Sequence, residues 1–424
     1  MTLRQNISKR VNGSWKRNFF FIWIGQSFSL LGSNLVQFAL VWWLTKTTGS
    51  AAVLATATLV ALLPNVFLGP FAGALVDRWN RRRVMIIADG AIALATFVLV
   101  LLFWSGSIQI WHVYVAMFIR ALGSCFHWPA MQASTSLMVP KEHLARIAGL
   151  NQSLHGLLNI ASPPLGALLL ETLPMFAVLS VDILTAFLAI LPLLFVIIPQ
   201  PKKSAQTNLI TPLQLFQEVK DGYKYLVSWK GMFYLSIAAA IINFLINPAF
   251  TLLPLLVTHY FKGGVWQLGW LEAIFGIGVV AGGLLLSTWG GFKKRIHTSL
   301  MGIIGMGIGI LLLTYAPAQW FFMAVVGMGL VGLMNALANG PLHAIMQANV
   351  APEMQGRVFT ALNSMTSAMS PLGMIAAAPV AELFGIRAWF LIGAIGALMM
   401  GFIGLLTPAI INLEDEQKNR KTAL

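Results

Sequence analysis

One cysteine, Cys125, in 424 residues excludes a disulfide framework and any zinc ribbon. Charge is scarce as well: 9% of positions are charged, with 13 acidic residues against 27 Lys and Arg. A soluble chain of this length needs far more polar surface to cover its core. The chemistry-bearing signatures are missing too. There is no His-Glu-x-x-His, no Gly-x-Ser-x-Gly, no pair of acids on one helix and no Walker-type Gly-Lys-Ser. Those gaps speak against a membrane-embedded enzyme, and the last excludes ATP drive within this chain. Neither a cofactor nor a metal is expected. The polar start Met1–Lys16 leads into an apolar segment too long for a signal-peptide core, so no cleaved leader is expected.

What the chain has instead is apolar length. Hydrophobic residues make up 58% of it and the mean hydropathy is +0.79. Twelve runs are each long enough to cross about 30 Å of hydrocarbon at about 1.5 Å per residue. They cover 17–44, 51–76, 84–104, 110–136, 143–170, 174–199, 231–258, 265–290, 296–316, 319–347, 357–382 and 388–411. An all-α membrane protein of twelve spans follows. The net charge of +14 does not imply nucleic acid. With both termini cytoplasmic, 23 of the 27 Lys and Arg fall in or beside inside segments, and only Lys46, Lys262 and Arg387 fall outside. Basic residues thus set topology and meet anionic lipid heads.

The polar stretch 200–230 divides the chain into a bundle at 1–199 and a bundle at 231–411, with a mixed-charge tail at 412–424. Around Leu213–Tyr225 this linker is amphipathic enough to lie on the membrane surface. The halves repeat in parallel. Trp128-Pro129, Pro140-Lys-Glu142, Arg146 and Asn151 recur as Gly340-Pro341, Pro352-Glu353, Arg357 and Asn363, at offsets near 211. Ser162-Pro-Pro-Leu-Gly166 recurs as Ser370-Pro-Leu-Gly373. Two repeated six-helix halves are a transporter plan.

Between the second and third runs lies Gly69-Pro-Phe-Ala-Gly-Ala-Leu-Val-Asp-Arg-Trp-Asn-Arg-Arg-Arg83. This loop resembles the Gly-x-x-x-Asp-Arg-x-Gly-Arg-Arg motif between helices 2 and 3 of major facilitator transporters. Asn80 stands where the motif prefers glycine, and a left-handed turn there suits asparagine. Further motifs narrow the likeness: Ile22-Trp-x-Gly-Gln26, Leu44-Thr-x-x-Thr-Gly-Ser-Ala51, Met85-Ile-x-Ala-Asp89, Phe118-Ile-Arg120, Phe126-His-x-Pro-Ala130 and Ala148-Gly-x-x-Gln-Ser-Leu154. Together they resemble the macrolide-efflux branch of the drug:proton antiporter-3 family. The resemblance implies a bacterial plasma-membrane exporter of bulky amphipathic drugs, driven by proton entry through alternating access and working as a monomer. An exporter of an endogenous siderophore, lipid or peptide fits the same motifs.

The candidate residues follow from burial cost and helical spacing. The resemblance makes Gly73, Asp77, Arg78, Arg81, Arg82 and Asp89 a cytoplasmic gate, with Asp77 facing the start of helix 11. A carboxylate gains about 0.3–1 kcal/mol at a helix N-terminus. Arg120 lies about mid-membrane, where an arginine costs at least about 2.5 kcal/mol and must find an inward partner. It either influences proton movement, as the resemblance suggests, or holds helix 1 through Gln26, Ser29 or Ser33. Asp182 and Glu272 are the remaining in-span acids and the candidates for proton binding, Asp182 on a helix the fold usually places at the periphery. His127, beside Trp128-Pro129, is expected to pack at the inner end of helix 4. Polar residues three or four apart form stripes: Gln26, Ser29, Ser33 and Gln37; Gln152, His155, Asn159 and Ser162; Asn243, Asn247 and Thr251; Asn335, Asn339 and His343. They either wet a substrate cavity, with Phe38, Trp42, Phe126, Trp128 and Phe244 adding aromatic surface, or join helices by hydrogen bonds.

Overall fold

Basic clusters mark where the apolar runs stop, and in the computed structural model the helices start and finish beside them. The structure describes residues 2–76, 78–198, 200, 220, 223–350 and 352–414. Asp77, the stretch around Leu213 and the far end of the tail lie outside these. In chain order the first long helices are α1 (Thr2–Thr48), α2 (Ala51–Val76), α3 (Arg81–Trp104), α4 (Ile110–Met138), α5 (Leu144–Thr172) and α6 (Met175–Phe195). Then come α7 (Lys230–Leu255, prolonged by a π turn to Tyr260), α8 (Val265–Trp289), α9 (Arg295–Tyr315), α10 (Phe321–Asn349), α11 (Pro352–Phe384) and α12 (Ile386–Leu406). No strand occurs among the described residues.

Eleven of these helices hold a stretch long and apolar enough to cross a membrane. The exception is α4, which has the length, at 29 residues, but gives positions to His112, Arg120, His127 and Gln132. The repeat read from the sequence has a structural counterpart, since α4 and α10 both run for 29 residues and start 211 positions apart.

The chain forms two compact units, Met1–Trp43 with Val60–Leu209, and Leu44–Leu59 with Ile210–Leu424. In the first, α3 packs on α4 and α6. Its core at the loop end joins Ile22, Val76, Met85, Ala130 and Leu193, one or more from each of α1, α2, α3, α4 and α6. In the second, α10 packs on α8 and α9, α7 on α11, and α9 on α12.

Asn80 departs from expectation. Its backbone is extended (φ −69°, ψ 106°), and its side chain accepts a hydrogen bond from Arg83 N at 3.1 Å. Asparagine therefore serves here as the N-cap of α3, a role worth about 1 kcal/mol, and not as a left-handed turn residue.

Candidate functional site

In the second unit, residues of α7, α8, α9 and α10 line an open cavity of about 370 Å³. Four amides reach it: Asn243 and Asn247, one turn apart on α7, and Asn335 and Asn339, one turn apart on α10. Phe250, Phe275, Ile303 and Met306 complete an apolar wall. Close helix contact sets this wall. A β-carbon at Gly332 would sit 2.1 Å from the Phe275 carbonyl oxygen, so α10 lies on α8 only because that position is glycine.

The amides are partly committed. Asn243 Nδ2 donates to Ala239 O at 2.9 Å, Asn247 Nδ2 to Asn243 Oδ1 at 3.0 Å, and Asn339 Nδ2 to Asn335 O at 3.0 Å. Oδ1 of Asn247 and Oδ1 of Asn339 accept nothing from the described residues. Two acceptors and the Asn335 amide thus face an otherwise apolar space that carries no charge. Such a wall suits a ligand with a large apolar body and a few hydrogen-bonding groups, and the volume lies within the roughly 300–1,000 Å³ of small-molecule sites.

In the first unit the buried charges fall into two groups. Arg120 NH1 donates to Asp182 Oδ2 and to Thr96 Oγ1, while Arg120 NH2 donates to Ser33 O at 3.2 Å. Ser33 Oγ donates to Asp182 Oδ1 at 3.2 Å, and Thr96 Oγ1 lies 2.9 Å from Asp182 Oδ2. Asp182 has no exposure at all. The network ties α1, α3, α4 and α6 together. Gly32 makes room for it, since a β-carbon there would lie 2.1 Å from Thr185 Oγ1 and 3.2 Å from Asp182 Oδ1. Helix 6 therefore turns Asp182 inward, onto Arg120, Ser33 and Thr96.

Gln26 is not on Arg120. Its Nε2 donates to Asp89 Oδ2 at 3.1 Å, and the other carboxylate oxygen lies 3.4 Å from His127 Nε2. Asp89 thus has its described partners on α1 and α4, two turns above the arginine loop. Of the loop residues, Arg81 donates to Ala133 O at 3.1 Å, and Arg82 to Leu193 O and, at 2.6 Å, to Leu194 O. Those last two carbonyls belong to the final turn of α6, where the helix leaves acceptors unsatisfied. Arg78 is exposed and Gly73 half-buried.

Other candidates scatter. Phe38 is buried against Gly166, Gln37 is exposed, and Phe126 packs into the loop-end core with its ring 5.9 Å from Trp79. Phe244 tilts against Trp389 at 6.1 Å. Glu272 is half-buried on α8, with no hydrogen bond or ion pair among the described residues. Thr96 escaped the sequence reading, and the closeness of His127 to Asp89 escaped it too. Both were visible as polar residues in apolar runs, and Thr96 sits two turns from Asp89.

Known proteins resemble this chain in sequence and in fold. The family model described as Major Facilitator Superfamily matches residues 22–263 and 234–423. Macrolide efflux protein A of Streptococcus pyogenes is 36% identical over 94% of this chain and 96% of its own. Macrolide efflux protein A of Enterococcus faecalis is 35% identical over 77% of this chain and 100% of its own. Among solved structures, a mutant of the nucleoside transporter NupG superposes with a TM-score of 0.67 over 89% of this chain and 98% of its own. At 14% identity that likeness is one of fold.

Proposed function

The chain belongs to the Major Facilitator Superfamily and stands with its macrolide efflux proteins, and from that premise we propose that it exports macrolide-like amphipathic drugs across the plasma membrane by proton-coupled alternating access. The observation that carries the substrate class is the amide-lined cavity of the second unit. Its four asparagines offer hydrogen bonds without charge, and its remaining wall is aliphatic and aromatic. A polyhydroxylated, largely apolar ring compound needs that combination. A substrate recognised through ion pairing would need a charged residue in the wall.

In this reading Arg120 and Asp182 are scaffold. Arginine does not release its proton in a protein, and the buried pair is tied by further bonds to Ser33 and Thr96, which joins four helices. Arg81 and Arg82 act with them by fastening the loop end of α3 to α4 and α6. Export of an endogenous siderophore, lipid or peptide is the rival reading.

The test is reconstitution into proteoliposomes holding an imposed pH gradient, followed by addition of macrolides and of unrelated amphipathic drugs. Drug-triggered proton movement that needs a higher drug concentration in Asn247→Leu supports the proposal. Folded protein that moves neither drug nor protons with any compound defeats it.

A further inference from the structure

The two buried carboxylates among the described residues of the first unit are held in opposite ways. Asp182 faces a permanent cation. Asp89 faces an amide and an imidazole, both from other helices. All three side chains of that second cluster are deeply buried, with exposures of 1% for Gln26, 3% for Asp89 and 8% for His127. A carboxylate out of water needs either a cation beside it or a proton of its own. His127 is a cation only while both ring nitrogens are protonated.

The cluster therefore has a neutral form containing one exchangeable proton, held on His127 or on Asp89. Loss of that proton leaves a net negative charge supported only by Gln26. The proton belongs to the pair, not to either residue. We propose that Asp89 and His127 form the proton-binding site of this transporter, with Gln26 positioning the carboxylate. The inference rests on the proton-coupled reading given above.

Local packing builds the site. A β-carbon at Gly123 would lie 2.8 Å from Ile92 Cγ1 and 3.2 Å from Ala88 O. Glycine one turn before His127 thus lets α4 approach α3 next to Asp89. An exit is present as well. Gln26 and His127 border a cleft of about 20 Å³ with Trp23, Trp128, Asn151 and His155, roughly the room one water needs. Gln26 Oε1 is buried there and accepts no hydrogen bond among the described residues. A water in the cleft has that oxygen as its acceptor and can take the proton from His127.

Few other charges bear on the pair. Arg81 lies about 12 Å along α3, with its NH1 on Ala133 O. Arg120 lies about 10 Å along α4, committed to Asp182 of α6. His155 of α5 stands across the cleft, edge-on to Trp128 at 4.9 Å, and the nearest charges of α1, Arg17 and Lys16, lie about 14–15 Å along that helix from Gln26.

Proteoliposomes separate the outcomes through two assays. Exchange of labelled for unlabelled erythromycin without a gradient needs a folded carrier but no net proton transfer. Uphill uptake driven by a pH gradient needs both. Asp89→Asn and His127→Gln are expected to keep exchange and lose driven uptake. His127→Arg is the discriminating variant, because it supplies a permanent cation. A purely structural ion pair is rescued by arginine, whereas a proton-binding pair is not, so exchange without driven uptake is expected again. Should His127→Gln fail to fold, the arginine variant alone carries the test. Driven uptake in His127→Arg or Asp89→Asn overturns the site, as does its selective loss in Glu272→Gln with the other variants coupled. A wild-type carrier that exchanges drug but never couples to protons removes the coupled reading and this site with it.

Discussion

At the scale of single residues, burial separates the polar groups that hold the protein from those able to change state. Arg120 was legible because a lone cation in an apolar run must have a partner. Its partner was not, since Asp182 is 62 positions away and nothing in α6 marks which face turns inward. Removing one member of a buried pair leaves an uncompensated charge and costs about 3–5 kcal/mol. Arg120→Met and Asp182→Asn are each expected to lower thermal stability in detergent by that order. The double variant Arg120→Met with Asp182→Leu should lose much less than the sum, because no buried charge is then left alone. Additive losses in a double-mutant cycle would show that the two side chains act independently. Asn80 teaches the converse lesson. The motif position was right and the backbone reading wrong, because asparagine serves both as a left-handed turn residue and as an N-cap, and only geometry chooses.

At the scale of helices, existence and length were readable and rotation was not. Each run expected to span became a helix, and the repeat joining α4 to α10 appeared in sequence and structure alike. A helix in lipid is apolar on its buried and its exposed sides, so hydrophobic periodicity says little about which side packs. Phe38 and Phe126 show the consequence: the sequence leaves open whether they line a cavity or join helices, and in the structure Phe38 is buried against Gly166 while Phe126 packs on the loop-end core. The small residues carried the missing information. Gly32 lets α1 touch α6 at Asp182, and Gly123 lets α4 touch α3 at Asp89. Gly32→Leu is expected to force α1 off α6 and to cost about 1–3 kcal/mol, as overpacking does. Size-exclusion profiles and melting curves of the purified variant would show it. An unchanged melting temperature would mean that the contact is loose.

At the scale of the whole molecule, charge placement and the single cysteine provide a direct test of orientation. Cys125 is the chain's one cysteine and is buried, which leaves a low background for introduced thiols. Ser107, between α3 and α4, and Arg83, at the other end of α3, are both exposed. The basic bias predicts that Ser107→Cys reacts with an impermeant maleimide added outside intact cells and that Arg83→Cys does not. The reverse pattern would invert the topology.

The same scale joins the amide cavity of the second unit to the carboxylate–imidazole cluster of the first. Because the two lie in different compact units, drug recognition and proton binding should respond to different substitutions. A hydrogen bond of about 1.4 kcal/mol is worth about a tenfold change in affinity. Asn339→Leu removes an acceptor from the cavity and adds only apolar surface, so it should raise the half-saturating drug concentration by up to about tenfold. The maximal rate and the number of protons moved per drug should stay as they were. Asp89→Asn should do the opposite, sparing half-saturation in exchange while abolishing the proton count. Measuring both quantities on both variants asks whether binding and coupling are separable in this carrier. If Asn339→Leu altered the proton count, the amides would themselves belong to the coupling path, and the division of labour between the units would fall.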